Sequence, residues 1–356
     1  MKEVTKRRVA AYTAAIAKQH GVSDATEKFN VNPAASQKIV AKMRESNWLL
    51  KKINIVMVVN QIGDALGLGV TGMIASRTNT KSGTERKPKR VYDMDAMSYA
   101  CVQTNFDSCI RYDQLDAYAH LKIFDKIIAA QTRQQIDVNK ITIGFYGASC
   151  ADDTDPKANP NGEDVNKGWL QNLRDNHKDA MLVEGGVTGE IRLGEGEAIP
   201  EGGTGAGLGD FINLDLAVMN VKGMLSDVCA NASDLVAIIG SDLLSYDKAK
   251  FYAAQGNTPS EKSRIEDKQV IGTYGGLPAF SVASFPPTGI LVTSFKNLSI
   301  YIQEGSIRRS VGKKNDALDQ LENFESMNMA YVIEDLGKAA AIEFDNVKLW
   351  INGAWV

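Results

Sequence analysis

The sequence has no apolar run long enough to cross a membrane and no strong excess of basic charge. None of its hydrophobic stretches approaches the ~18 residues that a transmembrane helix needs. Its formal net charge is −3 at pH 7, whereas domains that grip nucleic-acid phosphates are usually distinctly basic. The N-terminus is charged and lacks the apolar core of a signal peptide, so we expect a protein that is neither membrane-spanning nor secreted.

Cysteine and histidine are scarce and scattered. The four cysteines lie far apart without a Cys-x-x-Cys pair, which predicts free thiols in place of a disulfide framework or a zinc site. The three histidines are equally dispersed. No Ser-His-Asp, Cys-His or paired-carboxylate arrangement can be assembled from local motifs. We therefore predict no catalytic residues, no metal site and no cofactor.

Two motifs that resemble ligand sites fail on their context. Residues 67–72 match the Gly-x-Gly-x-x-Gly dinucleotide fingerprint, but residues 73–86 make a poor helix that offers no N-terminus for a pyrophosphate. The acidic loop 151–164 lacks the twelve-residue ligand pattern of a calcium site. A glycine-rich hairpin and a solvated connector are the better interpretations.

What the sequence does contain is one uninterrupted helical pattern, residues 114–143. This stretch has neither glycine nor proline, and Asp113 can cap its first turn. A helix of roughly 25–28 residues would span about 40 Å, about twice the usual length in a compact domain. The apolar residues that recur at helical spacing are Leu115, Tyr118, Leu121, Phe124, Ile127 and Ile128. Because β-rich segments precede it and an α/β segment comes after it, we predict that this helix is the backbone of the molecule.

The residues before the long helix divide into a head-piece, an arm and a ribbon. Residues 1–29 predict a separable basic helix that ends at Gly21. A second helix is predicted over 36–52 and a strand over 53–59. Residues 61–97 are rich in glycine, serine and threonine, and residues 101–112 alternate, which indicates a two-stranded ribbon with a long polar tip. A loop of this length is either flexible or becomes ordered by contact with a neighbouring molecule.

The residues after the long helix predict an α/β domain and a returning strand pair. Asn213 can cap an amphipathic helix, and the apolar run 235–240 is typical of a strand buried on both faces. Two more strands are predicted in this domain, over 279–283 and 290–293. Strands over 297–304 and 323–334, joined by a charged loop at 312–319, would return to pack along the long helix. A last alternating strand covers 341–351.

The order of these parts resembles that of the major capsid protein of tailed bacteriophages, which has the Hong Kong 97-type shell fold. The local amino-acid sequence is similar to the peduovirus type of this protein. No single motif is diagnostic, but the matching stretches are co-linear over nearly the whole chain. They read INIVMVV, IGDALGLGVTGMIASRTNTKSGTERKPK, NFDSCIRYDQLDAYA, VNKGWLQNLR, NLDLAVMN, GGLPAFSV, NLSIYIQEGSIRR and ENFESMNMAYVIED.

The resemblance implies an α+β fold with an N-terminal arm, an extended β-hairpin loop, a long spine helix, a peripheral domain and an axial domain. The implied division is a head-piece at 1–29, an arm at 30–52, the extended loop and flanking strands at 53–112, the peripheral domain at 113–164 and 296–335, and the axial domain at 165–295 and 336–356.

The resemblance also implies how the chain is used. Identical copies would form pentamers and hexamers of an icosahedral head around double-stranded DNA, assembled in the host bacterial cytoplasm. The axial domain would meet its copies around the five- and six-fold axes, and the loop at 312–319 would lie at the three-fold contacts. The implied partners are a scaffolding protein, a head maturation protease and a portal protein, with DNA nearby only non-specifically and no membrane.

The resemblance further implies two sets of site residues. The N-terminal segment would be removed by cleavage near Phe29 and Asn30, although Asn32-Pro33 stands where relatives usually have an acidic residue before proline. The ribbon around residues 63–99 would reach over an adjacent subunit, with its charged tip at Glu85, Arg86 and Lys87 steering the contact.

Two other interpretations are compatible with the sequence. One is a cytoplasmic α/β enzyme with its site beside residues 235–240 and the loop 202–209. The other is the shell protein of a bacterial nanocompartment, which has the same fold but encloses an enzyme. The removable head-piece and the local similarity to peduovirus sequences favour the phage shell.

Overall fold

The structure is a computed structural model that describes residues 1–70, 75, 77–78, 80–82, 85–86, 92–118, 124–198, 207–255 and 270–356. The helices are α1 (Glu3–His20), α2 (Pro33–Ser46), α3 (Trp48–Lys52), α4 (Tyr112–Tyr118), α5 (Phe124–Tyr146), α6 (Trp169–Asn176), α7 (Leu214–Gly223) and α8 (Ser241–Gln255). None of the helices in these ranges is long and apolar enough to span a membrane.

Among the described residues, the strands form two larger sheets and three small ones. They are β1 (Phe29–Asn30), β2 (Asn54–Val58), β3 (Ile62–Val70), β4 (Tyr92–Ala100), β5 (Val102–Asn105), β6 (Ser108–Arg111), β7 (Met181–Leu182), β8 (Ile191–Leu193), β9 (Gly196–Glu197), β10 (Gly207–Leu208), β11 (Val236–Ile239), β12 (Val270–Tyr274), β13 (Leu277–Phe280), β14 (Ile290–Thr293), β15 (Leu298–Gln303), β16 (Arg308–Asn315), β17 (Gln320–Ile333), β18 (Ala340–Ile342), β19 (Val347–Ile351) and β20 (Ala354–Trp355).

The seven-stranded sheet is built around β17, which has 14 residues. Its order is β1-β16-β17-β15-β2, and β5 and β6 also pair with β17. β15 and β2 are parallel, while β17 is antiparallel to β15, β16, β5 and β6. Strands that are far apart in the sequence therefore take their positions from one central strand.

The predicted ribbon is confirmed, with one correction. β3 and β4 pair antiparallel from Ile62–Ala100 to Val70–Tyr92. The alternating residues 101–112 were assigned to the ribbon, but they form β5 and β6 and lie in the seven-stranded sheet. Their alternation fits a strand with one face on the core, since Thr104 is buried and its neighbours are more exposed.

The long helical stretch is helical on both sides of residues 119–123, which lie outside the described residues. Asp113 was predicted to precede the helix and cap it. This is wrong, because α4 begins at Tyr112 and Asp113 lies in its first turn. α5 has 23 residues and continues past the predicted end to Tyr146. Of the predicted apolar stripe, Leu115 is buried; the other five side chains are not described.

The second larger sheet confirms the predicted α/β segment. Its order is β12-β13-β11-β14-β18-β7. All four residues of β11 are buried, as expected for a strand covered on both faces. The Asn213 side chain accepts a hydrogen bond from the Leu216 amide and caps α7, as predicted.

Three further boundaries were predicted wrongly. Residues 36–52 form two helices because Asn47 interrupts them and caps α3 through the Leu49 amide. The stretch 312–319 is not a loop throughout, since β16 runs to Asn315 and pairs with β17. The stretch 341–351 is not one strand: a 3-10 turn at Phe344–Asn346 separates β18 from β19, which join different sheets.

The core at the junction of α5, α6 and the seven-stranded sheet is centred on Trp169, which is fully buried. Its indole N–H donates to the Ser299 carbonyl at 3.0 Å, and its ring contacts Phe145 edge-on at 5.1 Å. Gly144 on α5 gives the ring its space, because a Cβ at this position would overlap the indole. The helices approach closely here only because residue 144 has no side chain.

Replacement of Gly144 tests this packing. We expect Gly144→Ala to lower the stability by about 1–3 kcal/mol, since the overpacked ring has to move within a close-packed core. Gly223→Ala is the matched control, because this glycine is also helical but a Cβ there meets nothing within 4 Å. Thermal unfolding measures both; equal melting temperatures would contradict this account of the core.

Candidate assembly surfaces

The root of the ribbon is fixed to the body by two hydrogen bonds and an aromatic contact. The Cys101 amide donates to the Gln61 carbonyl at 2.8 Å, and the Gln61 side-chain amide donates to the Cys101 carbonyl at 3.2 Å. The ring of Tyr99 meets the ring of Tyr301 edge-on at 4.9 Å. Opposite Tyr99, a Cβ on Gly63 would lie 2.8 Å from the tyrosine oxygen, so a larger residue at position 63 would require the tyrosine side chain to shift.

The half-buried carboxylate of Glu334 holds Tyr301 in place beneath the ribbon. The hydroxyls of Tyr301 and Ser299 both donate to the Glu334 carboxylate, at 3.1 and 2.5 Å. Burial and the neighbouring carboxylate raise the pKa of Tyr301, so its hydroxyl stays protonated as a donor. The direction in which the ribbon leaves the body is therefore set by side chains of the seven-stranded sheet.

The structure describes two of the three residues that were predicted to form the charged tip of the ribbon. Glu85 and Arg86 are exposed, and Lys87 lies outside the described residues. Their role in contacts between subunits stays a prediction.

The turn between β16 and β17 is a second projecting feature. It occupies residues 316–319, and Leu318 at its tip is 59% exposed. Tyr112 holds the turn, since its hydroxyl donates to Asp316 at 2.9 Å and its amide donates to the Asp319 carbonyl at 2.8 Å. Burial and Asp316 raise the pKa of Tyr112 to about 12. Of the predicted loop at 312–319, only the short turn 316–319 remains a loop, and Tyr112 anchors it.

Helix α7 presents apolar side chains on two sides. Leu214, Ala217, Val218 and Val221 are buried against the domain. Leu216 and Met219 lie three residues apart on the helix and form an exposed stripe, with 43% and 57% of their surface exposed; Ile212, which precedes the helix, is 56% exposed. An exposed apolar stripe of this kind marks an interaction surface.

The head-piece is not separate from the body in this structure. Ile16 and Ala17 of α1 and Phe29 of β1 belong to the same continuous core as the second larger sheet. β1 pairs antiparallel with β16, with Phe29 opposite Arg309 and Asn30 opposite Arg308. The Phe29 side chain is buried, and the His20 ring lies 5.2 Å from it. The predicted cleavage residues therefore lie in a hydrogen-bonded strand.

Beneath the head-piece lies a buried group of charged residues that local sequence patterns did not reveal. Glu325 on β17 pairs with Arg309 on β16 at 2.9 Å, and Lys140 lies 3.8 Å from Asp137 on α5. Burial alone would raise the pKa of Glu325, but Arg309, Arg133 and Lys140 together hold it below its ordinary value. Burial lowers the pKa of Lys140 to about 8, and Asp137 opposes this shift.

A cleft of about 730 Å³ separates the head-piece and α2 from α5 and the sheet. Its lining includes His20, Arg133, Arg309 and Glu325. Within the described part of the chain, the buried Nδ1 of His20 and one Nη of Arg133 have no hydrogen-bond partner. The head-piece thus leaves an open cleft between itself and the body.

The described residues contain no cluster of metal-ligating side chains. Within the ranges covered, no group of three or more His, Cys, Asp or Glu side chains is placed to hold a metal ion. The cysteines are free thiols, with Cys101 buried and Cys109 and Cys150 exposed.

Known proteins match the chain over nearly its whole length. The family model described as "Phage major capsid protein, P2 family" matches residues 8–344. A relative from Escherichia phage P2, described as "Capsid proteins", is 37% identical over 358 residues and covers 96% of this chain and 95% of that protein. The major capsid protein of Serratia phage KSP20 is 32% identical over 348 residues, covering 96% and 97% respectively.

The solved structure of the satellite phage P4 procapsid, which includes a size determination protein, contains a similar chain. It is 33% identical, superimposes with a TM-score of 0.74, and covers 98% of this chain and 99% of its own. The fold is therefore the predicted α+β Hong Kong 97-type capsid fold, and the class of protein is a structural subunit of a viral shell. This chain belongs to the P2 family of phage major capsid proteins. Neither the α/β enzyme nor the nanocompartment shell is the family that these matches identify.

The ribbon root can be tested with a single tyrosine. We expect Tyr99→Ala to speed hydrogen exchange at the Cys101 amide by about three- to tenfold, because an aromatic pair contributes about 0.5–1.5 kcal/mol. Tyr99→Phe keeps the ring and is the control, with little change expected. Exchange followed by mass spectrometry measures the effect; unchanged protection in the alanine variant would show that the ring contact does not hold the root.

The packing of the head-piece should depend on pH through His20. Burial and nearby Arg309 lower the pKa of His20 below 6.5, so the released head-piece binds the proton more tightly than the packed one. The contribution of His20 is therefore complete above about pH 6.5 and falls by at most about 1.4 kcal/mol per pH unit below it. Hydrogen exchange in α1 between about pH 7.5 and 5.5 measures this loss.

His20→Gln is the control for this prediction, because glutamine does not titrate in the window. Glu325, also beneath the head-piece, has a pKa lowered from 4.5, so its own contribution is lost only at more acidic pH. A variant with the same pH dependence as the unmodified chain between about pH 7.5 and 5.5 would exclude His20 as the cause.

Proposed function

We propose that the chain assembles as pentamers and hexamers into the icosahedral head of a tailed bacteriophage around double-stranded DNA, and that it has no catalytic activity. Membership of the capsid family supports the structural role. The observation that carries the proposal is the two-stranded ribbon β3–β4, which leaves the body and pairs only with itself among the described strands. A hairpin of two strands is marginally stable alone, so it gains most by lying on a neighbour.

The remaining surfaces have places in such a shell. The peripheral domain would comprise residues 113–164 and 296–335, and the axial domain residues 165–295 and 336–356. The exposed stripe on α7 lies in the axial domain and suits the contacts around the five- and six-fold axes. The turn at 316–319 suits the three-fold contacts. Glu85, Arg86 and Lys87 would steer the ribbon, each contributing little alone because exposed ion pairs are weak.

The proposed partners are further copies of the chain, a scaffolding protein, a head maturation protease and a portal protein. The matched P4 procapsid includes a size determination protein, which supports a procapsid stage with an assembly partner. Assembly would take place in the host bacterial cytoplasm without a membrane. The net charge of −3 suits proximity to packaged DNA, because a strongly basic subunit would bind its phosphates.

The head protease would cut near Phe29 and Asn30. The bond lies in β1, paired with β16, so a protease that needs an extended exposed strand would have to wait until this segment leaves the sheet. The loosely filled cleft beneath α1 would make that departure less costly than the opening of a close-packed core.

Electron microscopy of the full chain, produced with a scaffolding protein and a head protease, tests the proposal. We expect closed shells or ring-like capsomers. A monodisperse small particle would contradict it. N-terminal sequencing of purified particles tests the cleavage: a start at Asn30 is expected, whereas mature particles that begin at Met1 would exclude it.

A further inference from the structure

The outer edge of strand β16 is closed by the head-piece of the same chain. The Val311 amide donates to the Ala25 carbonyl at 2.7 Å, and the Ile307 carbonyl accepts from the Val31 amide at 2.9 Å. The Ser310 hydroxyl donates to the Thr26 carbonyl at 2.7 Å. Residues 25–31 therefore cover a backbone edge that would otherwise present unpaired donors and acceptors. We call this segment the edge cap.

An open strand edge is a template for another strand, and proteins generally cover or blunt such edges. The edge cap is short, because β1 has two residues, and its residues Thr26, Glu27 and Lys28 line a cleft of about 510 Å³. Ala25, Phe29 and Val31 are nevertheless buried, so the cap excludes water from β16 while it is seated. A cap that is small and incompletely supported can be exchanged for a better-fitting strand.

The charge pattern of β16 indicates which strand would fit. β16 reads RRSVGKKN and carries four basic residues. Arg309 pairs with Glu325 and Lys313 lies opposite Glu322, while Arg308 and Lys314 lie opposite uncharged residues of β17. Ribbon strand β4 reads YDMDAMSYA and carries two acidic residues, Asp93 and Asp95, and no basic residue. β4 pairs with β3 on one side only among the described strands. Opposite charges on paired strands stabilise the pair, whereas like charges destabilise it.

We propose that, in the assembled shell, the edge cap leaves β16 and strand β4 of a second copy pairs with the freed edge. This inference rests on the shell assembly proposed above and names the contact that the ribbon makes there. The cap then acts as an intramolecular block that keeps isolated subunits from pairing edge to edge. The acidic ribbon strand supplies both the backbone hydrogen bonds and the charges that match β16.

A disulfide between the cap and β16 tests the exchange in the full chain. Asn30 and Arg308 are exposed cross-strand partners, and such pairs approach the Cα separation of about 4.4–6.8 Å that a disulfide needs. We expect the oxidised double variant Asn30→Cys, Arg308→Cys to form at least tenfold fewer particles, and reduction to restore them. The single variants Asn30→Cys and Arg308→Cys are the controls. Normal assembly of the oxidised double variant would overturn the proposal.

Hydrogen exchange on particles of the unmodified, uncleaved chain gives a second readout. We expect the Val31 amide to lose protection by more than tenfold relative to the isolated subunit, while the Val311 amide stays protected by its new partner. A protected Val31 would mean that the cap remains seated. An unprotected Val311 would mean that the edge opens without a partner. Either result overturns the proposal.

A charge exchange tests the choice of β4 as the partner. Asp93→Lys with Asp95→Lys should reduce particle yield at least tenfold, and Arg308→Glu with Lys313→Glu in the same chain should restore much of it. Failure of the second pair to restore assembly would exclude β4 as the occupant. Absence of particles from the unmodified chain would instead contradict the proposed function, so the two failures are distinguishable.

Discussion

Backbone pairing along β17 is the constraint on which the rest of the structure depends. In this strand Ser326 pairs with Asn105 on one side and Arg308 on the other, and Met329 pairs with Ile302. A slip of one residue would turn the buried side chains of Met327 and Met329 to the opposite face of the sheet. The ribbon root, the edge cap and the projecting turn are all attached to strands that pair with β17, so its register also sets their relative positions.

The charged residues beneath the head-piece make the register of β17 more specific, but they lie where the head-piece is incompletely packed. Glu325 is 5% exposed and depends on Arg309 of the neighbouring strand for its counter-charge. A buried charge that loses its partner costs several kcal/mol, so misregistered pairings of β16 and β17 are disfavoured. The same residues border the cleft under α1, where the packing is incomplete. The ion pair that fixes the register of β16 and β17 therefore lies beside the region where the head-piece can most easily move.

Sequence reasoning succeeded where the signal is local and failed where partners are distant. The cap at Asn213, the buried run in β11 and the ribbon pairing follow from periodicity, glycine content and residue type. The helix break at Asn47 was missed because the apolar spacing continues across it. Lys140 is fully buried, although it is a charged residue within the long helical pattern. Nothing within a few residues of Lys140 or Phe29 indicates that β16 and β17, far along the chain, cover them.

The central claim is that the ribbon gains a defined position by contact with another copy of the chain. A density map of the assembled particle, at a resolution that separates neighbouring subunits, tests it most directly. The account predicts that β3 and β4 of each subunit cross the boundary and lie against the seven-stranded sheet of the next one. A ribbon folded back along its own body, with no contact across the boundary, would contradict it.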